Sequence, residues 1–206
     1  MAFNNNYGNR FQRTTPIVLN LIIINALVLA VQMIFDGPEE KVSRLIALWP
    51  YNSELFRPYQ LVTHMFAHGG FLHILLNMYA LWIFGTVLEK VWGPKRFLIF
   101  YLACGLAAGV AQMLLSDAPA VGASGAIMGL LAAFAFLFPN TQFYIIPIPF
   151  PIKAKYIVAI YAAYDIFGGV HPGSADNIAH FAHLGGLVMG FILVIIWNKT
   201  NKKTFY

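Results

Sequence analysis

The sequence predicts an all-α, polytopic membrane protein in which six helices form one bundle. The chain of 206 residues is 59% hydrophobic and only 10% charged, with a mean hydropathy of +0.68, whereas roughly a quarter of the residues in a soluble domain are charged. Six apolar runs are long enough, or nearly so, to cross about 30 Å of hydrocarbon. They lie at residues 16–35, 71–91, 97–115, 121–138, 154–170 and 178–197.

The apolar runs follow one another without a polar linker or an internal repeat, so we expect a single membrane domain over residues 16–197. Residues 1–15 are rich in asparagine and lack apolar periodicity, which is typical of a disordered cytoplasmic leader. Residues 198–206 form a short basic cytoplasmic tail. The first apolar run is too long for the core of a signal peptide, and no small-x-small cleavage site follows it, so we interpret it as an uncleaved anchor.

The distribution of positive charge indicates the orientation of these helices. With the N-terminus inside, ten of the thirteen Lys and Arg residues lie on the cytoplasmic side, and only Lys41, Arg44 and Arg57 lie outside. The positive-inside rule therefore favours an N-in, C-in topology. This asymmetry also accounts for the net charge of +5 without a nucleic-acid partner.

Several polar side chains fall at one depth of the predicted bundle. The second, fourth and sixth helices all enter the membrane from its outer face. Each of them carries polar residues within about two turns of its outer end. These residues are His73, Asn77, Ser124, His180 and His183. Polar groups inside a bilayer are costly unless something satisfies them, and hydropathy alone does not require this coincidence of depth. We therefore interpret the group as a functional site.

The residue types in this group match nucleophilic catalysis. Serine becomes a good nucleophile when a base removes its proton, and histidine is the usual base because its pKa lies near neutrality. Ser124 is the candidate nucleophile and His183 the candidate base. His73 and Asn77 are spaced i, i+4 on one helix face, so both could donate hydrogen bonds to an oxyanion.

Glycines surround these candidates at positions where space is needed. Gly122 and Gly125 flank the serine, which leaves room for a substrate backbone and lets the Ser124 N–H reach a developing oxyanion. Gly186 and Gly190 form a small-xxx-small face one turn beyond the histidine. Such a face lets two membrane helices approach closely, so we expect contact between the fourth and sixth helices.

Three motifs carry a resemblance to a known family, the rhomboid intramembrane serine proteases. The similarity extends over residues 58–190, and the motifs occur in the family's order. They read His68-x4-His73-x3-Asn77, Gly122-x-Ser124-Gly125 and Ala182-His183-x2-Gly186-x3-Gly190. The resemblance implies a rhomboid-like six-helix bundle, a Ser124–His183 dyad without a third acid, and an oxyanion hole formed by His73, Asn77 and the Ser124 amide.

The resemblance also assigns positions outside the dyad. Arg57 and Glu89 match structural polar positions, and we treat both as architectural. Met128 departs from the family, in which an aromatic residue that packs on the histidine is common four residues after the serine. Because a methionine sulfur also makes contacts with aromatic rings, we expect the packing to change more than the activity.

The function expected from this resemblance is endoproteolysis within the membrane. The partners would be single-pass transmembrane protein substrates, cut near the outer face, and membrane lipid, with no nucleic acid, metal or cofactor. We expect an integral, multi-pass protein of the bacterial cytoplasmic (inner) membrane.

Other interpretations stay open from the sequence. The chain could be a non-enzymatic membrane protein that binds transmembrane helices, or a haem- or metal-carrying bundle, since His64 and His68 are spaced i, i+4. A zinc protease, however, would require His-Glu-x-x-His, and no Glu lies between them. We expect His68 and His180 to form hydrogen bonds near the outer end of the site. Asp165 and Asp176 could orient His183, but the spacing selects neither, so both are left out of the catalytic set.

Overall fold

The structure is a computed structural model that describes residues 15–144, 149–171 and 178–200. The expected leader, apart from Thr15, and the tail beyond Thr200 lie outside the described residues, as does Asp176.

Helices make up most of the described chain, as the all-α prediction requires. They are α1 (Pro16–Phe35), α2 (Lys41–Ile46), α3 (Gln60–Thr63), α4 (Phe71–Ala80), α5 (Thr86–Trp92), α6 (Pro94–Leu115), α7 (Ser124–Leu137), α8 (Ala154–Val170) and α9 (His180–Thr200). A π-helical segment, Leu81–Gly85, joins α4 to α5. Two short antiparallel strands, β1 (Gln142–Phe143) and β2 (Ile152–Lys153), lie between α7 and α8 and pair Gln142 with Lys153.

Four helices of the described chain are long and apolar enough to cross a membrane: α1, the continuous helix Phe71–Trp92, α6 and α9. The chain is therefore an integral, multi-pass membrane protein. Helix α7 has 14 residues, which at 1.5 Å per residue is about 21 Å, and α8 has 17. The six-span count and the N-in, C-in orientation remain predictions.

Three helix starts differ from the sequence prediction: α9 begins at His180 and not at residue 178, and the starts of α7 and α6 each follow a glycine with a positive φ. Gly122 has a φ of +122°, a conformation that side chains other than glycine rarely adopt. Helix α7 therefore begins at Ser124 and not at Val121. Gly93, with a φ of +79°, separates α5 from α6, and Pro94, whose ring fixes a helical φ, starts α6 three residues before the predicted start at Phe97.

Helices α6, α7 and α9 form the centre of the molecule, and glycines let α7 and α9 touch backbone to backbone. A Cβ atom at Gly186 would lie 1.8 Å from the carbonyl oxygen of Gly125, and one at Gly190 would lie 2.5 Å from the Cα of Gly129. This approach brings the first turn of α7, which contains Ser124, beside the first turn of α9.

Helix α1 begins without a side-chain cap of its own. The buried carboxylate of Glu89, on α5, instead accepts hydrogen bonds from the backbone N–H groups of Ile17 (3.0 Å) and Val18 (2.9 Å). These are first-turn donors that no helix carbonyl can satisfy. Glu89 thus links α1 to the bundle, in line with the architectural role that the resemblance implies.

Candidate active site

Ser124 and His183 meet where α7 and α9 begin. The Ser124 Oγ lies 2.8 Å from the His183 Nε2, which is hydrogen-bonding distance, and both side chains are half-buried. Residues 59 positions apart in the chain are therefore in direct contact. The arrangement can transfer the hydroxyl proton to the ring.

An acidic side chain lies on the other side of the same imidazole. The Asp165 Oδ1, on α8, lies 3.0 Å from the His183 Nδ1 and 2.8 Å from the His180 Nδ1. The Asp165 side chain is 1% exposed. The expected dyad without a third acid therefore differs from the observed geometry, in which a carboxylate touches the histidine. The signal for Asp165 in the sequence was its position as an acid within an apolar run.

The proton of the His73 ring can be located from its neighbour. The Gly69 N–H donates a hydrogen bond to the His73 Nδ1 at 3.2 Å, so a neutral ring carries its proton on Nε2. That nitrogen lies 2.8 Å from the position that a Cβ at Gly122 would occupy, and the same position is 3.7 Å from the Ser124 Oγ. The Nε2–H donor therefore borders the space left by the missing side chain, beside the serine.

Asn77 and the Ser124 backbone carry further hydrogen-bond donors. The buried Asn77 side chain donates from Nδ2 to the carbonyl oxygen of His73 at 2.9 Å, which leaves the second hydrogen of its amide for another acceptor. Ser124 is the first residue of α7, so its N–H has no intrahelical acceptor.

One side chain forms two hydrogen bonds with the backbone of the segment that precedes α4. The Gln32 side chain, on α1, accepts a bond from the His68 N–H (3.1 Å) and donates to the His68 carbonyl (3.2 Å). The His68 ring packs edge-on against the His73 ring, with 5.1 Å between centroids. Burial, and secondarily the charge of His73, lowers the pKa of His68 to about 4, so this ring is neutral at neutral pH. Sequence reasoning missed Gln32, although it is a polar residue in an apolar helix.

Two hydrogen bonds hold the backbone on either side of the Ser124–His183 contact. The Gly122 N–H donates to the His64 carbonyl at 2.8 Å, which holds the loop before α7. Gln112, on α6, was also missed by sequence reasoning, and its Oε1 accepts a bond from the Ala182 N–H at 3.2 Å in the first turn of α9. Met128 is buried on α7.

The histidine pair considered as a metal or haem site is engaged in other contacts. The His64 Nδ1 lies 2.8 Å from the Gln60 carbonyl oxygen, and burial lowers the pKa of this ring. Across the ranges that the structure describes, no group of three or more His, Cys, Asp or Glu side chains is arranged to hold a metal ion.

Comparison with known proteins identifies relatives that are named rhomboid proteases or rhomboid-like proteins. The chain is 29% identical over 185 residues to rhomboid protease GluP of Bacillus subtilis (88% of this chain, 35% of the relative). It is 28% identical over 188 residues to rhomboid protease GlpG of Yersinia pseudotuberculosis (90% and 64%). It is 35% identical over 166 residues to RHOMBOID-like protein 6, mitochondrial, of Arabidopsis thaliana (79% and 52%).

The chain thus spans between about a third and just under two thirds of the length of these curated relatives. The family model described as the rhomboid domain matches residues 55–199, which include α3 to α8 and nearly all of α9. This match covers well over half of the chain and confirms the resemblance inferred from the three motifs, so the protein belongs to the rhomboid family.

Proposed function

We propose that this protein is an intramembrane serine endopeptidase, in which Ser124 is the nucleophile and His183 the general base. The observation that carries the proposal is the 2.8 Å contact between the Ser124 Oγ and the His183 Nε2, in a chain whose relatives are named rhomboid proteases. Serine requires such a base to attack a carbonyl carbon.

The reaction would proceed in two steps. The Ser124 oxygen bonds to the substrate carbonyl carbon while its proton moves to His183 Nε2, and the C–N bond breaks as that proton passes to the leaving amine. Water then attacks the acyl-enzyme with the same histidine as base, and the carboxylic acid product leaves Ser124 regenerated.

The oxyanion of each step would lie beside Gly122. The His73 Nε2–H borders this space, the Ser124 backbone N–H would donate from the first residue of α7, and Asn77 would add its free amide hydrogen after a rotation of its side chain. Donors arranged before the reaction stabilise the charge as it develops.

The substrate would be a single-pass transmembrane protein, cut near the outer face. This proposal depends on an N-in, C-in bundle of six spans, including the shorter α7 and α8. The positive-inside distribution of Lys and Arg supports the orientation. Helix-weakening residues near the cut are expected, because a helical segment must unwind to present its carbonyl.

We place the protein in the bacterial cytoplasmic membrane, with lipid as its surroundings and without a cofactor, metal or nucleic acid. Similarity to GluP and GlpG, from Bacillus subtilis and Yersinia pseudotuberculosis, supports this location. Because mitochondrial relatives are also similar, fractionation of the native cells is the measurement that checks it.

The test is cleavage of a model single-pass substrate by the full chain in proteoliposomes, together with labelling by a fluorophosphonate. We expect cleavage and labelling by the wild type, and loss of both in Ser124→Ala and His183→Ala. Because the pair acts as a unit, the double variant should be no worse than either single variant. Ser53→Ala, in the exposed loop before α3, is the matched control and should behave as wild type.

Two results would contradict the proposal. One is substantial cleavage by folded Ser124→Ala protein, and the other is an adduct that mass spectrometry locates on a different residue. Inhibition by a chelator that added metal reverses would instead favour the metal-binding interpretation of the histidines.

A further inference from the structure

Most residues of helix α8 are exposed, and its second half contains one buried residue. Of its 17 residues, only Ala154 and Asp165 are buried, and the large side chains of Ile160, Phe167 and Val170 are each more than 60% exposed. An acid buried in an apolar helix costs several kcal/mol unless it has partners. The position of Asp165 therefore requires an explanation from its contacts.

Those contacts are two histidines on one face of α9. His180 and His183 are three positions apart and so project in the same direction, and the Nδ1 atoms of both lie within 3.0 Å of the Asp165 Oδ1. A carboxylate oxygen only accepts hydrogen bonds, so each ring must donate from Nδ1–H. The Asp165 Oδ2 is buried and has no hydrogen-bond partner among the described residues, which concentrates the interaction on the oxygen that faces α9.

We propose that Asp165 is the positioning residue of the site, and that Ser124, His183 and Asp165 act as a triad. This inference rests on the proposed function and deepens it. A neutral imidazole has one N–H, and by accepting the Nδ1–H the carboxylate holds the tautomer whose Nε2 lone pair faces the Ser124 hydroxyl. During attack, Nε2 gains the serine proton, and the ring is then positive. The Asp165 carboxylate would stabilise that charge without taking the proton.

His180 holds the carboxylate for this role. Its Nδ1 is 2.8 Å from the same oxygen, and its ring packs against α8 where Gly168 leaves room, since a Cβ at Gly168 would lie 2.3 Å from the His180 Nε2. His180 therefore keeps α8 beside α9 and sets the direction in which Asp165 faces His183.

The test compares Asp165→Asn with Asp165→Glu and with a matched control, Asp117→Asn, in an exposed loop. An asparagine amide has nearly the shape of the carboxylate but can donate to Nδ1, which favours the wrong tautomer. We expect Asp165→Asn to lower kcat by up to about 10⁴-fold, as for the equivalent change in a soluble triad, with KM nearly unchanged. Asp165→Glu should recover part of this loss, and Asp117→Asn should behave as wild type.

A second measurement determines which ring nitrogen of His183 carries the proton, and it does not require activity. Nitrogen-15 NMR of histidine-labelled protein, with the His183 signals assigned from a His183→Gln variant, should show the proton on Nδ1 in the wild type and on Nε2 in Asp165→Asn. A wild-type ring with its proton on Nε2 would overturn the proposal, even if Asp165→Asn fails to fold. Folded Asp165→Asn enzyme with wild-type kcat would also overturn it.

A merely structural role gives a different pattern. Activity would then fall only in proportion to the fraction of folded enzyme, and kcat per fluorophosphonate-reactive site would not change, which also contradicts the proposal. If the wild type neither cleaves nor is labelled, the proposed function fails, while the NMR result still decides whether Asp165 holds the His183 ring.

Discussion

The central helix α7 and the outer helices α4 and α8 border the same site, but they are buried very differently. Ten of the 14 residues of α7 are buried, in one run from Gly125 to Phe134. Helix α4 buries only Ile74 and Asn77, and α8 buries only Ala154 and Asp165. Each outer helix therefore has two buried residues, of which one is polar.

The difference in burial indicates that the central and the outer helices have different roles. The centre consists of small and apolar residues whose close packing fixes where Ser124 and His183 lie. The outer helices expose many apolar side chains, as a lipid-facing helix does, and each buries one polar side chain. Polar residues in membranes are retained where they have partners, so the few polar residues buried in the outer helices identify their inner faces.

Adding a methyl group to the centre should have the largest effect. In Gly186→Ala, the new Cβ would lie 1.8 Å from the Gly125 carbonyl oxygen, and no side-chain rotation relieves a clash with backbone. Helices α7 and α9 must separate, so the Ser124–His183 hydrogen bond breaks. We expect cleavage and fluorophosphonate labelling to fall to the level of Ser124→Ala, with a lower thermal midpoint.

The matched control for this change is Gly169→Ala on α8. Its added Cβ would be 3.3 Å from the Phe181 ring, a contact that a small ring movement relieves, so activity should stay near wild type. Equal losses in the two variants would remove the distinction between centre and periphery.

Removing the inward polar groups of α4 should have the next largest effect. His73→Ala or Asn77→Ala would delete a proposed oxyanion donor, and loss of one such donor typically costs about 10² to 10³ in kcat. We expect KM to change little, because the oxyanion exists only in the transition state. Steady-state kinetics of each variant, and of the double variant, measure this.

Exposed residues of the same types provide the controls. His171→Ala and Asn52→Ala alter side chains that lie at the surface, and both should keep the wild-type kcat. Wild-type kcat in both single α4 variants and in the double variant would exclude these residues from the site.

The link between α1 and α5 should show the smallest effect. Glu89→Ala removes the carboxylate that accepts the N–H groups of Ile17 and Val18, and loss of a helix cap costs about 0.5 to 2 kcal/mol. We expect a modestly lower free energy of unfolding, measured by denaturant titration in micelles, and nearly unchanged kcat per folded enzyme. The exposed Glu54→Ala is the control, and an equal loss there would argue against a capping role.

Much of the fold could be predicted because hydropathy acts locally. The apolar runs that contain α1, α4 to α5, α6 and α9 were identified from composition alone, and their limits agree with the structure to within about three residues. Spacing also put Ser124, His183, His73 and Asn77 in one group, because helix periodicity and depth follow from the sequence.

The exact helix ends and the acidic partner of His183 could not be predicted from hydropathy or spacing. The start of α7 depends on the +122° φ of Gly122, and many glycines in a membrane helix adopt ordinary helical angles, so the residue type alone did not identify the break. Spacing selected neither Asp165 nor Asp176, since contact between α8 and α9 depends on how the helices pack.

The sequence by itself determined the membrane class of this protein, its family and the residues of the candidate dyad, because these follow from composition and from motifs of a few residues. Only the tertiary structure decided that Asp165 touches His183, that Gly69 fixes the proton of His73 on Nε2, and that Gln32 and Gln112 hold the loop and the helix beside the site. Each of these depends on distances of about 3 Å between particular atoms, most of them in segments remote in the chain, and the order of residues in a sequence does not give such distances.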